Sequence, residues 1–146
     1  MKIAIASDHA GFELKANLLE WLKNQNHTIT DFGTDSANSC DYPDFAYKAS
    51  LAVSKGECEF GIIICGSGIG MSIVCNKVKG IRAANCCSEE MSSLSRRHNN
   101  ANVLNLGARL IDIELAKRIT HVFLSTDFEG GRHDLRVNKI HDLTKC

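Results

Sequence analysis

At residues 60–70 the sequence reads FGIIICGSGIG, an apolar run that ends at a thiol and passes directly into three closely spaced glycines. An apolar segment bounded by turn residues is typical of a strand buried on both faces of a sheet. Glycines after such a strand let the backbone approach a ligand, and the N–H groups of a following helix favour negative charge there. Cys65 would lie at this junction, where a thiol is readily converted to its thiolate. The stretch therefore predicts a nucleophile or a base beside an anion-binding loop.

Short strands and amphipathic helices alternate along the whole chain. Strands are predicted at Lys2–Ser7, His27–Phe32, Phe60–Cys65, Ile81–Asn85 and Asn102–Leu106. Apolar residues at helical spacing predict helices around Leu14–Leu22, Phe45–Val53, Ile69–Val74, Ser88–Arg97, Leu115–Phe123 and Leu135–Leu143. This alternation predicts an α/β fold, a three-layer Rossmann-like sandwich in which helices cover both faces of a five-stranded, mainly parallel sheet. Residues 1–146 are predicted to form a single domain.

The composition excludes several classes of protein. Lysine and arginine together number 17, as do aspartate and glutamate, so no overall charge favours nucleic acid or a membrane surface as a partner. No apolar run approaches the roughly 18 residues of a membrane helix, and the N-terminus does not resemble a signal peptide. The seven cysteines are odd in number and contain no Cys-x-x-Cys pair, which disfavours a disulfide framework and a zinc site. We therefore expect reduced thiols and a cytoplasmic protein.

Candidate functional residues gather where the predicted strands end. Open parallel sheets bind ligands beyond the carboxyl ends of their strands. Asp8-His9 follows the first strand, Cys65–Gly70 the third and Gly107–Arg109 the fifth. The segment that contains His98 and Asn99 precedes the fifth strand, so it reaches this edge less obviously.

Each of these features also has a purely structural interpretation. Cys65 could be a core thiol, Asp8 a helix cap and His98 a surface residue, although an imidazole is also the natural proton carrier near neutral pH. The glycines lack the Gly-x-Gly-x-x-Gly spacing of a dinucleotide site, and no Walker lysine follows them. Met71 stands where a cysteine phosphatase would require an arginine. The alternative that the glycines form a structural turn that binds no ligand also remains.

Arg132 and Arg136 lie four residues apart and would share one face of the last predicted helix. Two guanidinium groups so placed fit a phosphate, and a solvated basic face is an equal alternative. No HExxH pair or carboxylate cluster indicates a metal site. Together these residues describe a small anionic substrate, an acid–base pair and no metal.

A set of motifs in this order resembles ribose-5-phosphate isomerase type B, of the ribose/galactose isomerase family. The resemblance extends essentially from end to end. Its motifs are Ser7-Asp8-His9-Ala10-Gly11, Asp41-Tyr42-Pro43, Cys65-Gly66-Ser67-Gly68-Ile69-Gly70, Asn76-Lys77, Gly80-Ile81-Arg82-Ala83, Ser95-Arg96-Arg97-His98-Asn99, Asn102-Val103-Leu104 and Glu129-Gly130-Gly131-Arg132-His133. The family also includes galactose-6-phosphate and allose-6-phosphate isomerases.

This resemblance implies the interconversion of ribose 5-phosphate and ribulose 5-phosphate in the non-oxidative pentose phosphate pathway, without a cofactor. Cys65 would be the base that moves a proton between C1 and C2, and His98 the acid that opens the furanose ring. Some members of the family use a glutamate placed elsewhere as the base. Residues 67–74 contain no acidic side chain, so this chain has the cysteine form.

The resemblance also implies how the substrate is held. The phosphate would be bound by Arg132 and Arg136, with Arg109 assisting, and Tyr42 would form a wall of the pocket. Family members are homodimers or homotetramers whose sites combine two chains, so His98 or the arginines would come from a neighbour. The sugar oxygens and the enediolate would be held by Asp8, His9, Asn99 and the backbone of Gly66, Ser67, Gly68, Ile69 and Gly70.

Three alternatives to this function remain. The nearest is the same chemistry on a hexose 6-phosphate, either allose or galactose. A catalytically silent sugar-phosphate-binding module belongs to a different class, and the presence of both Cys65 and His98 argues against it. A nucleotide-binding regulator is disfavoured by the spacing of the glycines.

Overall fold

Five parallel strands form one sheet in the computed structural model, which describes residues 1–146. Their order across the sheet is β2-β1-β3-β5-β4. The strands are β1 (Lys2–Ser7), β2 (Thr28–Asp31), β3 (Phe60–Cys65), β4 (Ala83–Asn85) and β5 (Val103–Gly107). The helices are α1 (Phe12–Asn24), α2 (Tyr42–Ser54), α3 (Ile69–Cys75), α4 (Glu89–Asn99), α5 (Ile113–Ser125) and α6 (Arg132–Thr144), with a short 3₁₀ turn at His9–Gly11. The predicted α/β sandwich is confirmed, and its sheet is wholly parallel.

The central strand β3 is buried on both faces, as its apolar run predicts. Ile62, Ile63 and Ile64 have no exposed surface. Because successive side chains of a strand point to opposite faces, Ile62 and Ile64 pack in the core with α1 and α5, whereas Ile63 packs in the core with α2 and α3. Two separate hydrophobic cores, one on each face, therefore fix the position of Cys65 at the end of this strand.

The register of the sheet brings the ends of three neighbouring strands together. Ser7 pairs with Ile64 across β1 and β3, and Cys65 pairs with Gly107 across β3 and β5. The loops after these strands therefore leave the sheet side by side at its carboxyl edge. This is the edge at which open parallel sheets bind ligands.

The last helix, α6, contributes little to either core. Only His133 and Val137 of this helix are buried, whereas Leu135 and Leu143 are 76% and 73% exposed. Helix α6 therefore presents an apolar and basic surface to its surroundings.

None of the helices in the structure has the length and apolar character needed to span a lipid bilayer.

Candidate active site

A cleft of about 400 Å³ opens at the carboxyl edge of the sheet. The loops after β1, β3 and β5 line it, together with the start of α2. Its lining residues are Asp8, His9, Ala10, Tyr42, Cys65, Gly66, Ser67, Gly70, Arg109 and Leu110. The fold thus gathers the three sequence segments that were expected to meet, and places Tyr42 beside them.

Cys65 lies in the cleft with its thiol almost enclosed, since the residue is only 5% exposed. Its Sγ accepts a hydrogen bond from the backbone N–H of Gly68, over 3.1 Å. Next to it, the Oγ of Ser67 accepts from the N–H of Ile69 at 3.3 Å. The glycine loop, residues 66–70, therefore holds the thiol in place at the wall of the cleft.

At two positions of the glycine loop a Cβ would collide with a neighbouring side chain. Gly68 has a φ of 78°, and a Cβ there would lie 2.1 Å from Oδ1 of Asn85. A Cβ on Gly70 would lie 2.9 Å from Cζ of Tyr42. Asn85 also donates from Nδ2 to the carbonyl of Ser67 at 3.2 Å, so this side chain supports the loop from β4. Sequence reasoning missed Asn85, although its place at the end of a predicted strand was a usable signal.

We expect Gly68→Ala to destabilise the protein by about 2–4 kcal/mol, because alanine at positive φ is strained and its methyl group would collide with Asn85. Activity should fall as well, since the loop that holds Cys65 must shift. Urea unfolding of the variant would measure the change in the free energy of unfolding.

Gly56→Ala is the matched control for this prediction. Gly56 has a φ of 74°, and its Cβ would meet no atom within 4 Å. This control therefore carries the backbone strain without the collision. A loss of stability no larger in Gly68→Ala than in Gly56→Ala would contradict the proposed contact with Asn85.

Asp8 and His9 combine a structural role with a place in the cleft. Oδ1 of Asp8 accepts from the N–H of Gly11 at 3.0 Å and so caps the 3₁₀ turn. Nδ1 of His9 lies 3.4 Å from the N–H of Cys40, which donates to it. Because Nδ1 accepts, the ring proton belongs on Nε2, where it can be donated to a ligand. Sequence reasoning missed Cys40, since nothing in its polar loop pointed to His9.

Arg109 supplies the cationic group of the cleft. Its backbone N–H donates to the carbonyl of Gly66 at 3.0 Å. Its side chain passes over the same residue, since a Cβ on Gly66 would lie 3.4 Å from both Cδ and Nε of Arg109. The guanidinium group is thus placed at the cleft beside the glycine loop, as the sequence led us to expect.

Six candidate residues do not line this cleft: Gly68 and Ile69, which belong to the adjoining glycine loop, and His98, Asn99, Arg132 and Arg136. His98 stands in the last turn of α4, where its ring stacks on that of His133 with centroids 4.4 Å apart. Arg132 and Arg136 are exposed on α6. A single chain therefore brings together the candidate base and the candidate sugar-binding residues other than Asn99, but not the candidate acid or the paired arginines.

The candidate acid, His98, belongs to a histidine cluster made of His98, Glu129 and His133. Oε2 of Glu129 lies 3.7 Å from Nε2 of His98 and 3.6 Å from Nε2 of His133. The other carboxylate oxygen, Oε1, accepts a hydrogen bond from Nε of Arg97 at 2.6 Å. That hydrogen bond lowers the pKa of Glu129, and the neighbouring positive charges add to the effect. Burial, followed by the positive charges nearby, lowers the pKa of His133.

Two guanidinium groups hold the end of α4. Nε of Arg82 donates to the carbonyls of Asn99 and Asn100, over 3.1 and 2.9 Å. Nη1 of Arg96 donates to Oδ1 of Asn100 and, at 2.6 Å, to the carbonyl of Ala101. Neither group pairs with a carboxylate, so both neutralise backbone carbonyls at the negative end of the helix. These hydrogen bonds therefore hold the backbone of this segment, which lies outside the cleft of its own chain.

Comparison with known proteins agrees with this architecture. The Ribose/Galactose Isomerase family matches residues 3–140. Ribose-5-phosphate isomerase B of Escherichia coli is 45% identical over 139 residues, which cover 95% of this chain and 93% of the relative. The structure of ribose-5-phosphate isomerase B from Clostridium thermocellum superimposes with a TM-score of 0.98 at 49% identity, covering 99% of this chain and 98% of the other.

A third relative was solved with a ligand. The ribose-5-phosphate isomerase B of Mycoplasma genitalium, with bound ribulose 5-phosphate, superimposes with a TM-score of 0.95 at 42% identity. This match covers 99% of the present chain and 96% of that one. Matches of this extent confirm the resemblance carried by the sequence motifs. The chain therefore belongs to the ribose/galactose isomerase family.

Proposed function

We propose that this protein is a ribose-5-phosphate isomerase, which interconverts ribose 5-phosphate and ribulose 5-phosphate through an enediolate. The observation that most supports this proposal is the enclosed thiol of Cys65, which faces the cleft and accepts an N–H hydrogen bond from the glycine loop. Aldose–ketose isomerisation needs a base beside a carbonyl and donors where negative charge develops. The cleft offers both.

In the proposed mechanism, Cys65 acts as the proton-carrying base. Its thiolate removes the proton from C2 of the open-chain aldose, and the electron pair moves towards the carbonyl oxygen on C1 to give the enediolate. The proton then returns to C1, while a hydroxyl proton passes from O2 to O1, so the ketose forms without loss of atoms. Backbone N–H groups of the glycine loop stabilise the developing charge, and Asp8 and His9 hold the sugar hydroxyls.

A second copy of the chain completes the site in this proposal. Within one chain the cleft lacks His98, Asn99 and the paired arginines. Apolar side chains border the cleft without protein cover, since Ile69 is 57% exposed and Leu110 is 65% exposed. Such an apolar rim suits a protein partner better than water. A homodimer, or a homotetramer built from such dimers, would seat His98 and Asn99 of one copy over Cys65 of the other.

The paired arginines would bind the phosphate from the same partner copy. Arg132 and Arg136 occupy one face of α6, both exposed, and guanidinium groups suit the bidentate recognition of phosphate. Arg109 would add a third charge from the chain that carries Cys65. Binding the phosphate far from C1 and C2 helps to position the reacting carbons against the thiol.

The substrate is tested by measuring the turnover of ribose 5-phosphate, allose 6-phosphate and galactose 6-phosphate. We expect ribose 5-phosphate to give the highest kcat/KM, without added cofactor. A higher kcat/KM for either hexose phosphate would favour the corresponding hexose isomerase. Binding of the sugars without turnover of any would favour a catalytically silent binding module.

A further inference from the structure

We propose that the histidine cluster binds a divalent transition-metal ion of the Co²⁺, Ni²⁺ or Zn²⁺ type, and that the bound ion inhibits the isomerase by engaging His98. Binding of the ion is inferred from the geometry of this cluster alone. Inhibition by the ion rests on the proposed function, in which His98 is the acid that opens the sugar ring.

The three side chains already lie close to the separations that a metal site requires. One ligand atom from each of His98, Glu129 and His133 lies within 4.8 Å of the other two. Metal–ligand bonds of about 2.1 Å place neighbouring ligand atoms of a tetrahedral site about 3.4 Å apart. The carboxylate oxygen lies 3.7 and 3.6 Å from the two imidazole nitrogens, so both contacts need to shorten by only a few tenths of an ångström.

The two imidazole rings must tilt to share an ion. They stack almost in parallel, with an interplanar angle of 11°, whereas nitrogen lone pairs that converge on one ion require inclined rings. His133 is only 8% exposed as a side chain and is held by its surroundings, but His98 is 34% exposed at the end of α4. His98 is therefore the ring that turns, and the ion would take it out of its orientation for catalysis.

The chemistry of the ligands selects the class of ion. Two imidazoles and one carboxylate favour the later divalent transition metals, whereas Mg²⁺ and Ca²⁺ prefer sites made of oxygen. Arg97 fixes the carboxylate of Glu129 from its other oxygen, as outer partners of metal ligands commonly do. The charges of Arg132 and Arg136 on α6 oppose a cation, which suits a reversible inhibitory site better than a tightly held cofactor.

The thiols of the active-site cleft are the competing metal site. Sγ of Cys40 lies 4.0 Å from Nδ1 of His9, and Cys65 lines the same cleft. Co²⁺ separates the two sites, because thiolate ligation gives an intense near-ultraviolet charge-transfer band that imidazole and carboxylate ligands do not give. Binding at the histidine cluster should therefore produce visible ligand-field bands without the thiolate band.

Binding is tested by titrating the full chain, freed of metal with a chelator, with Co²⁺ in a calorimeter and a spectrometer. We expect one ion per chain, and a loss of affinity of about tenfold or more in both Glu129→Gln and His133→Asn. Because Glu129 is exposed, Glu129→Gln should fold, and it tests the metal site even if His133→Asn does not fold. His121→Asn, which changes an exposed histidine of α5 outside the cluster, should bind as the wild type does.

The binding proposal is overturned if Co²⁺ does not bind at one ion per chain, if both cluster variants retain wild-type affinity, or if the thiolate band dominates.

Inhibition is measured as the Co²⁺ concentration that halves the turnover of ribose 5-phosphate, each variant being compared with its own metal-free rate. We expect this concentration to rise about tenfold in Glu129→Gln, in step with the affinity. Binding without inhibition of an active wild type overturns the inhibitory role alone. Absence of any turnover without metal counts against the proposed function, whereas the binding result still decides the site.

Discussion

Cys65→Ser is expected to lower kcat for ribose 5-phosphate by about 10²–10⁴-fold, the range typical of a positioned acid–base group. A serine hydroxyl fits the space of the thiol but is a far weaker acid, so almost none is present as the anion at neutral pH. Because the hydroxyl can still accept the N–H of Gly68, the glycine loop should keep its shape and KM should change little. Steady-state kinetics at saturating substrate would separate the loss in kcat from any loss in binding.

Cys58→Ser is the matched control for this substitution. Cys58 is also buried, at 4% exposure, but it does not line the cleft. Its variant therefore reports the cost of placing a hydroxyl in a thiol-sized site away from the chemistry. A kcat for Cys65→Ser within tenfold of the Cys58→Ser value would refute the assignment of the base.

Co-expression of a Cys65→Ser chain with a His98→Asn chain is expected to restore about a quarter of the wild-type activity, although each variant alone is nearly inactive. Random pairing makes half of the dimers mixed. In a mixed dimer one of the two sites combines the intact Cys65 of one copy with the intact His98 of the other. The second site of that dimer carries both substitutions and is inactive.

This recovery depends on the site being shared. If one chain supplied both groups, every site of the mixed dimers would carry one substitution, and the mixture would be as inactive as its parents. Separating the mixed species with two different affinity tags and measuring its kcat would remove the contribution of the parental dimers. Absence of recovery in a purified mixed dimer would exclude a site divided between Cys65 and His98.

The fold was largely predictable because its strands follow simple patterns. The apolar run of Ile62 to Ile64, bounded by turn residues, is typical of a central strand that is buried on both faces of a covered sheet. The order of the strands could not be predicted from the sequence, because it depends on which strands pair with each other. The two edge strands were predicted to be longer than they are. The sequence predicted His27–Phe32 and Ile81–Asn85, whereas the structure has Thr28–Asp31 and Ala83–Asn85.

The placement of the candidate site residues was predictable where it follows from the ends of strands, and not elsewhere. Asp8, Cys65 and Arg109 lie at or just beyond the ends of three neighbouring strands and so meet at one edge. The histidine cluster could not be foreseen, since His98 belongs to α4 and Glu129 to the loop before α6, and only the packing of these segments brings them together. Nor could spacing alone reveal that His98 lies outside the cleft of its own chain.

The two guanidinium groups at the end of α4 have a consequence for the conditions under which the protein keeps its shape. Burial lowers the pKa of both Arg82 and Arg96, yet a guanidinium group stays protonated throughout the range in which proteins remain folded. Both groups bind neutral carbonyls and amides, Nη1 of Arg82 also lies 3.0 Å from Nε2 of His141, and Arg96 lies 4.9 Å from the ring centroid of Phe60. The hydrogen bonds to carbonyl and amide oxygens have no partner that acid would neutralise, and their partial burial shields them from added salt. Acidification would change the ionisation of the histidines and carboxylates without removing a partner from the hydrogen bonds that Arg82 and Arg96 donate to the carbonyls of Asn99, Asn100 and Ala101.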